Sequence, residues 1–307
     1  VLAKTKSLKC ARCETSLDRL LNARDFNQES TREEFSYFKC PSCGCISLHP
    51  TPQEMGKYYV NNYRPYQIPE TADDLQFALS QIAHRLELIT QHKTSGRLLE
   101  IGPSFGAFSL GAKNAGFEVS AIEIDPMCAN FMNTALQIPT DCTPDTIAAI
   151  EGLGIAFDVI AMWHSIEHLP DPWGVLEACA SKLAPGGLLV VAAPDPSCLQ
   201  FRIFQRYWVH LDAPRHLYLI PARTLIGAAA DLGLEFISCN TRDLDGRQLN
   251  RMGWSVSLNN LLGFRNPRTL FRRICSKLLT MVFYPIEVCA NQGACYTIML
   301  RKPDTDR

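Results

Sequence analysis

Apolar residues recur along the chain with two different periods. Between positions 72 and 91, Leu75, Leu79, Ile82, Leu86 and Ile89 follow one another at spacings of three and four, which predicts a helix with a single apolar face. Further on, short uninterrupted apolar runs alternate with helical patterns. Runs at 97–101, 118–122, 157–162, 188–193, 235–239 and 295–300 predict strands, and segments 106–116, 173–183 and 224–232 predict helices. Strands apolar throughout, alternating with helices, indicate a parallel sheet covered on both faces. Two stretches break the alternation. Segments 195–221 and 241–293 are too long for simple connections, and such excursions commonly serve as lids or substrate walls. The first 50 or so residues are polar and rich in paired cysteines, and they end in the stiff run His49-Pro50-Thr51-Pro52. The expected organisation is therefore a small module at 1–52, an aromatic linker and helix at 53–95, and a main α/β domain at 96–307 carrying insertions at 195–221 and 241–293.

Composition narrows the functional classes. A formal net charge of −1 speaks against wholesale nucleic-acid binding, which usually needs a basic excess. The C-terminal stretch is nonetheless locally basic, with nine Lys/Arg against three Asp/Glu from Arg251 to Arg307. Thirteen cysteines are many for one chain, but the first fall in Cys-x-x-Cys pairs and the others sit singly in apolar segments. That distribution favours a reducing compartment, with metal ligands at one end and small core residues elsewhere. The N-terminal residues lack a secretory pattern, and no window has the roughly 18–20 apolar residues a membrane span needs. The expectation is a cytoplasmic protein.

Cys10, Cys13, Cys40 and Cys43 form two Cys-x-x-Cys knuckles separated by 26 residues. Each knuckle presents two thiolates from one tight turn, and two of them complete a tetrahedral zinc site. Four cysteines close the coordination sphere, so the expected role is structural. Gly44 follows the second knuckle, where a left-handed residue is often required. A redox pair is the alternative, with Cys45 as a fifth thiol nearby.

The run from Leu98 to Gly106 places a strand, a glycine-bearing turn and a helix start in succession. Glycines allow close backbone approach, and the helix start offers unpaired N–H donors. Glu123 lies 21 residues after Gly102, at the end of the next predicted strand, where an acidic residue can bind ribose hydroxyls. Together they indicate an adenosine-containing ligand. The ordered set Glu100-x-Gly102-x-x-x-Gly106, Glu123, Phe157-Asp158-Val159-Ile160, Ile166-Glu167-His168-Leu169 and Leu183-Ala184-Pro185-Gly186-Gly187 resembles the class I S-adenosylmethionine-dependent methyltransferases over most of residues 95–240. That resemblance implies a Rossmann-like seven-stranded sheet whose last strand, 295–300, runs antiparallel. It also implies that Glu100 orients the loop or the donor's amino group. Gly102, Pro103, Ser104 and Gly106 would face the methionine part, Glu123 and Ile124 the nucleoside, and Met162 and Trp163 would flank the donor. Ser104 departs from the family pattern, where glycine is common.

An oxygen acceptor must lose a proton as it is methylated, and histidine is the natural group to help. His164, His168, His210 and His216 are the candidates, with His168 and His216 the expected catalytic pair and Arg215 a candidate for an anionic substrate group. The cysteine-rich head, with Phe38 to Gly44, Pro50-x-Pro52, Tyr58-Tyr59 and Tyr63, looks like the zinc-ribbon head of methyltransferases of bacterial sugar and surface-glycan biosynthesis. The resemblance implies O- or C-methylation of a nucleotide- or lipid-linked sugar. RNA methylation and a non-catalytic partner that keeps the fold are the alternatives, and a nicotinamide-dependent oxidoreductase fits least. In the second insertion, Leu270, Phe271, Ile274, Leu278, Met281 and Val282 form an apolar stripe amid Arg265, Arg268, Arg272, Arg273 and Lys277. Either it packs as a lid with a solvated basic face, or 265–283 lies on an anionic membrane surface, peripheral to the inner face. Pro285 is expected to end or bend this helix.

Overall fold

A computed structural model describes residues 8–59, 67–263, 270–289 and 292–304. The head begins with strands β1 (Asp18–Ala23), β2 (Phe35–Lys39) and β3 (Ile46–Leu48). Helix α1 (Ala72–Thr90) starts at Thr71, whose hydroxyl accepts the Asp74 N–H while the Asp74 carboxylate accepts the Thr71 N–H. The main domain then runs β4 (Gly96–Ile101), α2 (Ala107–Asn114), β5 (Phe117–Glu123), α3 (Pro126–Thr134), β6 (Thr140–Cys142), α4 (Thr146–Gly152) and β7 (Phe157–Trp163). It continues through α5 (Pro172–Lys182), β8 (Leu183–Pro194), α6 (Leu199–Phe204), β9 (Tyr218–Leu219), α7 (Ala222–Asp231), β10 (Glu235–Asn240), α8 (Leu244–Leu262), α9 (Leu270–Cys289) and β11 (Cys295–Arg301).

Seven strands make the main sheet in the order β10-β11-β8-β7-β4-β5-β6. The strands from β8 to β6 are mutually parallel, and β11 enters antiparallel between β10 and β8, as the sequence resemblance implies. Strand β6 escapes the apolar pattern because it is a three-residue edge strand. Side chains alternate across the sheet. Leu99, Ile160, Met162, Leu189 and Ile298 pack towards α5 and α7, whereas Leu98, Val159, Ala161, Trp163 and Val190 pack towards α1, α2 and α3.

The first insertion completes the head. Its two-residue strand β9 pairs antiparallel with β3, so the head's sheet reads β1-β2-β3-β9. Leu217 links three segments, because its N–H donates to Glu167 O at 2.8 Å and its carbonyl accepts the Leu48 N–H at 2.9 Å. Beneath them Arg215, with no exposed surface, donates to Asp25 of the head and to Asp212, with contacts of 2.7–2.9 Å. The expectation that Arg215 binds an anionic substrate is therefore corrected: its guanidinium is engaged by two carboxylates and by Tyr58 O.

The second insertion supplies α8 and α9. Asp245, in the first turn of α8, takes Arg85 at 2.6 Å and His84 at 3.2 Å from α1, over Trp163 at the carboxyl end of β7. Helix α9 continues through Pro285 rather than ending there. It packs with Leu279 and Phe283 against the core around Trp254, whose ring stacks on Phe283 at 4.9 Å. The described part of the predicted stripe faces outward instead, for Ile274, Leu278, Met281 and Val282 are all exposed. Arg265 and Arg268 lie outside the described residues, as does Tyr63. Among the described residues, no helix is long and apolar enough to cross a membrane.

Candidate functional site

The glycine loop leaves β4 and enters α2 through three left-handed residues, Gly102 (φ +71°), Ser104 (φ +58°) and Gly106 (φ +87°). Ser104 thus takes at some strain the conformation that a glycine adopts freely. A Cβ at Gly102 would lie 2.6 Å from Ser165 Cβ, and one at Gly106 within 2.9 Å of Met132, so neither position has room for a side chain. What holds the loop is Glu123. One carboxylate oxygen accepts the Ser104 N–H and the other the Asp125 N–H, each at 2.8 Å. A carboxylate offers about four lone-pair sites, so acceptor capacity remains beside these backbone bonds. Burial pushes the Glu123 carboxyl above its usual range, opposed by those backbone N–H groups.

Glu100 lies beneath the loop, at the end of β4. Its carboxylate is buried and accepts the Ser109 hydroxyl of α2 at 2.5 Å, so it pins the helix that follows the loop. Burial raises its pKa to about 7. Beyond Glu123, Ile124 and Met127 are 58% and 66% exposed, an apolar surface beside the carboxylate. Met162 does not flank this cleft. Its side chain is wholly buried on the α5 and α7 face, because alternation along β7 sends neighbouring residues to opposite sides. Trp163 takes the loop side, edge-on to Phe108 with ring centroids 5.3 Å apart. Pro103, between Gly102 and Ser104, is buried in the turn.

Four ionisable side chains gather after β7. Glu167 and His168 stand on one short turn, Ile166–His168, and His164 precedes it with φ +56°. His216 comes from the first insertion, held in place by the Leu217–Glu167 hydrogen bond and by Tyr37 of the head, whose hydroxyl donates to His216 O at 3.1 Å. The rings of His168 and His216 meet edge to face with centroids 4.6 Å apart, so the structure joins the two expected catalytic histidines. Tyr59 adds its hydroxyl at 3.2 Å from His168 Nδ1, a contact the spacing did not reveal. Burial lowers the His168 pKa to about 4, helped by His216. Glu167 is pushed up by burial, but the imidazoles of His164, His216 and His168 outweigh this and bring it to about 2. His210 lies apart, buried and bonded to Leu249 O at 3.2 Å, which makes it a packing residue.

In the head, the sulfurs of Cys10 and Cys43 are 3.6 Å apart and those of Cys13 and Cys40 3.4 Å apart. All four lie within 4.8 Å of one another. A tetrahedral zinc with bonds of about 2.3 Å separates its sulfurs by about 3.8 Å, so the four thiols fit that ion. Gly44 adopts φ +79° as expected. The second knuckle rests on α7, where the Thr224 hydroxyl donates to Cys43 O at 2.6 Å. Cys45 is buried against the main core, with its thiol beside Cys43.

The profile of a family described as a methyltransferase domain matches residues 73–238, just over half of the chain. The chain belongs to this methyltransferase family. Its matched span takes in the glycine loop, Glu123 and the histidine cluster, and leaves the cysteine head, α8, α9 and β11 outside. A ubiquinone biosynthesis O-methyltransferase of Parvibaculum lavamentivorans is 37% identical over 101 residues, 31% of this chain and 39% of that protein. One from Cereibacter sphaeroides is 28% identical over 174 residues, 53% of this chain and 68% of that protein. The methyltransferase chain thus spans 39% of the length of the first of these relatives. Among solved structures, an S-adenosylmethionine-dependent methyltransferase from Archaeoglobus fulgidus superposes with a TM-score of 0.48 at 19% identity, covering 74% of this chain and 94% of that one.

Proposed function

We propose that the protein transfers a methyl group from S-adenosylmethionine to an oxygen of a small-molecule acceptor. The observation that carries this reading is the left-handed loop at Gly102–Gly106, fastened by Glu123 beside an exposed apolar surface. Gly102, Pro103, Ser104 and Gly106 would receive the methionine part. The free lone pairs of Glu123 would accept the ribose hydroxyls, and Ile124 would lie against adenine. When bound, the donor supplies a methyl carbon already activated on a sulfonium, so the protein's main task is alignment. Trp163 closes one side. His168 and His216, joined edge to face, would line the acceptor side of the site. The relatives named for ubiquinone O-methylation support oxygen over carbon as the methylated atom. The head's likeness to those of glycan methyltransferases supports a sugar hydroxyl, nucleotide- or lipid-linked, as the acceptor class. Incubation with methyl-labelled donor and two acceptor panels, nucleotide sugars and polyprenylated phenols, tests the reading. Label on a sugar supports it, label on phenols alone moves the acceptor to the quinone class, and label on neither sinks oxygen transfer to both.

The four-thiol cluster binds structural zinc in the same reading. Loss of one zinc per chain is expected in Cys13→Ser/Cys40→Ser relative to the parent; equal zinc in both proteins would contradict it. The outward stripe of α9 is proposed as a peripheral membrane contact, supported by the exposure of Leu278, Met281 and Val282 and by the basic excess of the C-terminal stretch. Cosedimentation with anionic vesicles is expected, with a loss of several-fold in Leu278→Asp/Met281→Asp. Equal binding by that variant would rule the stripe out.

A further inference from the structure

Among the described residues two groups bring metal-ligating atoms together. One is the thiol cluster; the other is Glu167, His168 and His216, whose ligand atoms all lie within 4.8 Å of one another. Glu167 is 2% exposed, and neither carboxylate oxygen accepts a hydrogen bond. Its nearest polar neighbours are His164 Nδ1 at 3.7 Å and His216 Nε2 at 4.0 Å, both beyond hydrogen-bond reach. A buried carboxylate in that state is costly unless a cation meets it.

The imidazoles are prepared for one. His216 Nδ1 is 2.8 Å from His210 O, and His168 Nδ1 is 3.0 Å from Arg215 O. A backbone carbonyl can only accept, so both Nδ1 atoms carry a hydrogen and Nε2 is the nitrogen each ring can offer to a metal. An imidazole whose far nitrogen donates to a backbone carbonyl is the usual support of a metal-bound histidine. Both anchoring carbonyls belong to the first insertion, and Tyr37 of the head holds the His216 backbone.

We propose that Glu167, His168 and His216 bind a divalent cation, with His164 at its margin. One carboxylate and an imidazole set favour manganese, iron, cobalt, nickel or zinc over magnesium or calcium. The site adjoins the donor cleft, because Gly102 touches Ser165, two residues before Glu167. Its open positions suit an acceptor with two adjacent oxygens, a vicinal diol or a catechol. Ligation weakens the O–H bond and the proton passes to water. The oxygen lone pair then forms the bond to the methyl carbon as the carbon–sulfur bond breaks, its electron pair staying on sulfur. This role for the ion rests on the methyl-transfer reading, whereas the binding of the ion does not.

The test uses the full chain, purified with zinc, freed of loosely held metal with a chelator and titrated with Co2+, followed by visible absorption and by metal analysis after gel filtration. The expected result is one cobalt per chain with weak visible bands and no intense near-ultraviolet sulfur-to-cobalt band, which marks cobalt among thiolates. Glu167→Gln should weaken this binding on the order of 100-fold or more, beyond what loss of a supporting hydrogen bond costs. If that variant does not fold, the parent spectrum decides. No cobalt retained, a thiolate band alone, or unchanged affinity in folded Glu167→Gln would each overturn the site. S-adenosylhomocysteine binding is measured on the same parent sample. Its absence beside an intact cobalt site counts against the methyl-transfer reading and leaves the ion in place.

Discussion

Gly102→Ala is expected to cost about 100-fold in donor affinity. An L-residue in the left-handed region loses roughly 1–2 kcal/mol, and forcing a methyl into a filled space costs roughly 1–3 kcal/mol more. The new Cβ would sit 2.6 Å from Ser165 Cβ, well inside van der Waals contact. Ser165 cannot easily retreat, since its hydroxyl donates to Ile101 O at 2.7 Å. The loop must therefore shift, and with it the Ser104 N–H that Glu123 holds. At 1.4 kcal/mol per factor of ten, a combined cost near 3 kcal/mol gives the stated loss if it falls on the bound geometry. Gly102→Ala/Ser165→Gly removes the clash but not the backbone strain, so it should regain part of the affinity. Calorimetry on the three proteins checks this, and a Gly102→Ala variant that binds like the parent would mean that the loop does not face the donor.

The second large effect is on stability. Arg215→Met should destabilise the fold by about 3–5 kcal/mol, the range for breaking a buried ion pair from one side. Asp25 and Arg215 have no exposed side-chain surface, and Asp212 has 13%. Removing the guanidinium leaves two carboxylates facing each other between the head and the first insertion. The two proteins should also answer to pH in opposite directions. In the parent, burial raises the Asp25 and Asp212 carboxyls, but Arg215 holds both below their ordinary value, Asp212 at about 2. Their contribution is thus complete above the unfolded value near 4 and is lost as pH falls towards about 2. Without Arg215, burial is opposed only by the neutral donors of Gln28, Ser30 and Asn27, so the carboxyls rise and the variant should lose stability as pH climbs above about 4. Urea unfolding at a series of pH values reads both slopes. Parallel slopes would show that Arg215 does not compensate the two acids.

What the sequence revealed follows from range. Apolar runs such as 157–162 and 188–193 become buried parallel strands because period and composition are local properties. The Cys-x-x-Cys pairs were legible for the same reason, each being one turn. Partners distant in sequence were not. Nothing around Arg215 announces Asp25, 190 positions earlier. Strand β9 has only two residues, too few for any alternation, and is defined by its pairing with β3. The stripe on α9 was visible, but its direction was not, because Leu279 and Phe283 offer a second apolar face and Trp254 selects that one. At the site, Glu123 was found by its spacing from Gly102. Its grip on the Ser104 N–H was not, since that depends on the loop's left-handed turn. Met162 was misplaced by one position of strand alternation, which sends it to the opposite face from Trp163.

The central claim is that the glycine loop and Glu123 hold S-adenosylmethionine. Calorimetric titration of the purified protein with that donor, beside Glu123→Gln and Glu123→Ala, addresses it most directly. The account predicts one donor bound per chain by the parent, weaker binding by Glu123→Gln, which keeps one acceptor oxygen, and none by Glu123→Ala. A folded parent that takes up no donor, or a Glu123→Ala variant that binds as the parent does, would contradict it.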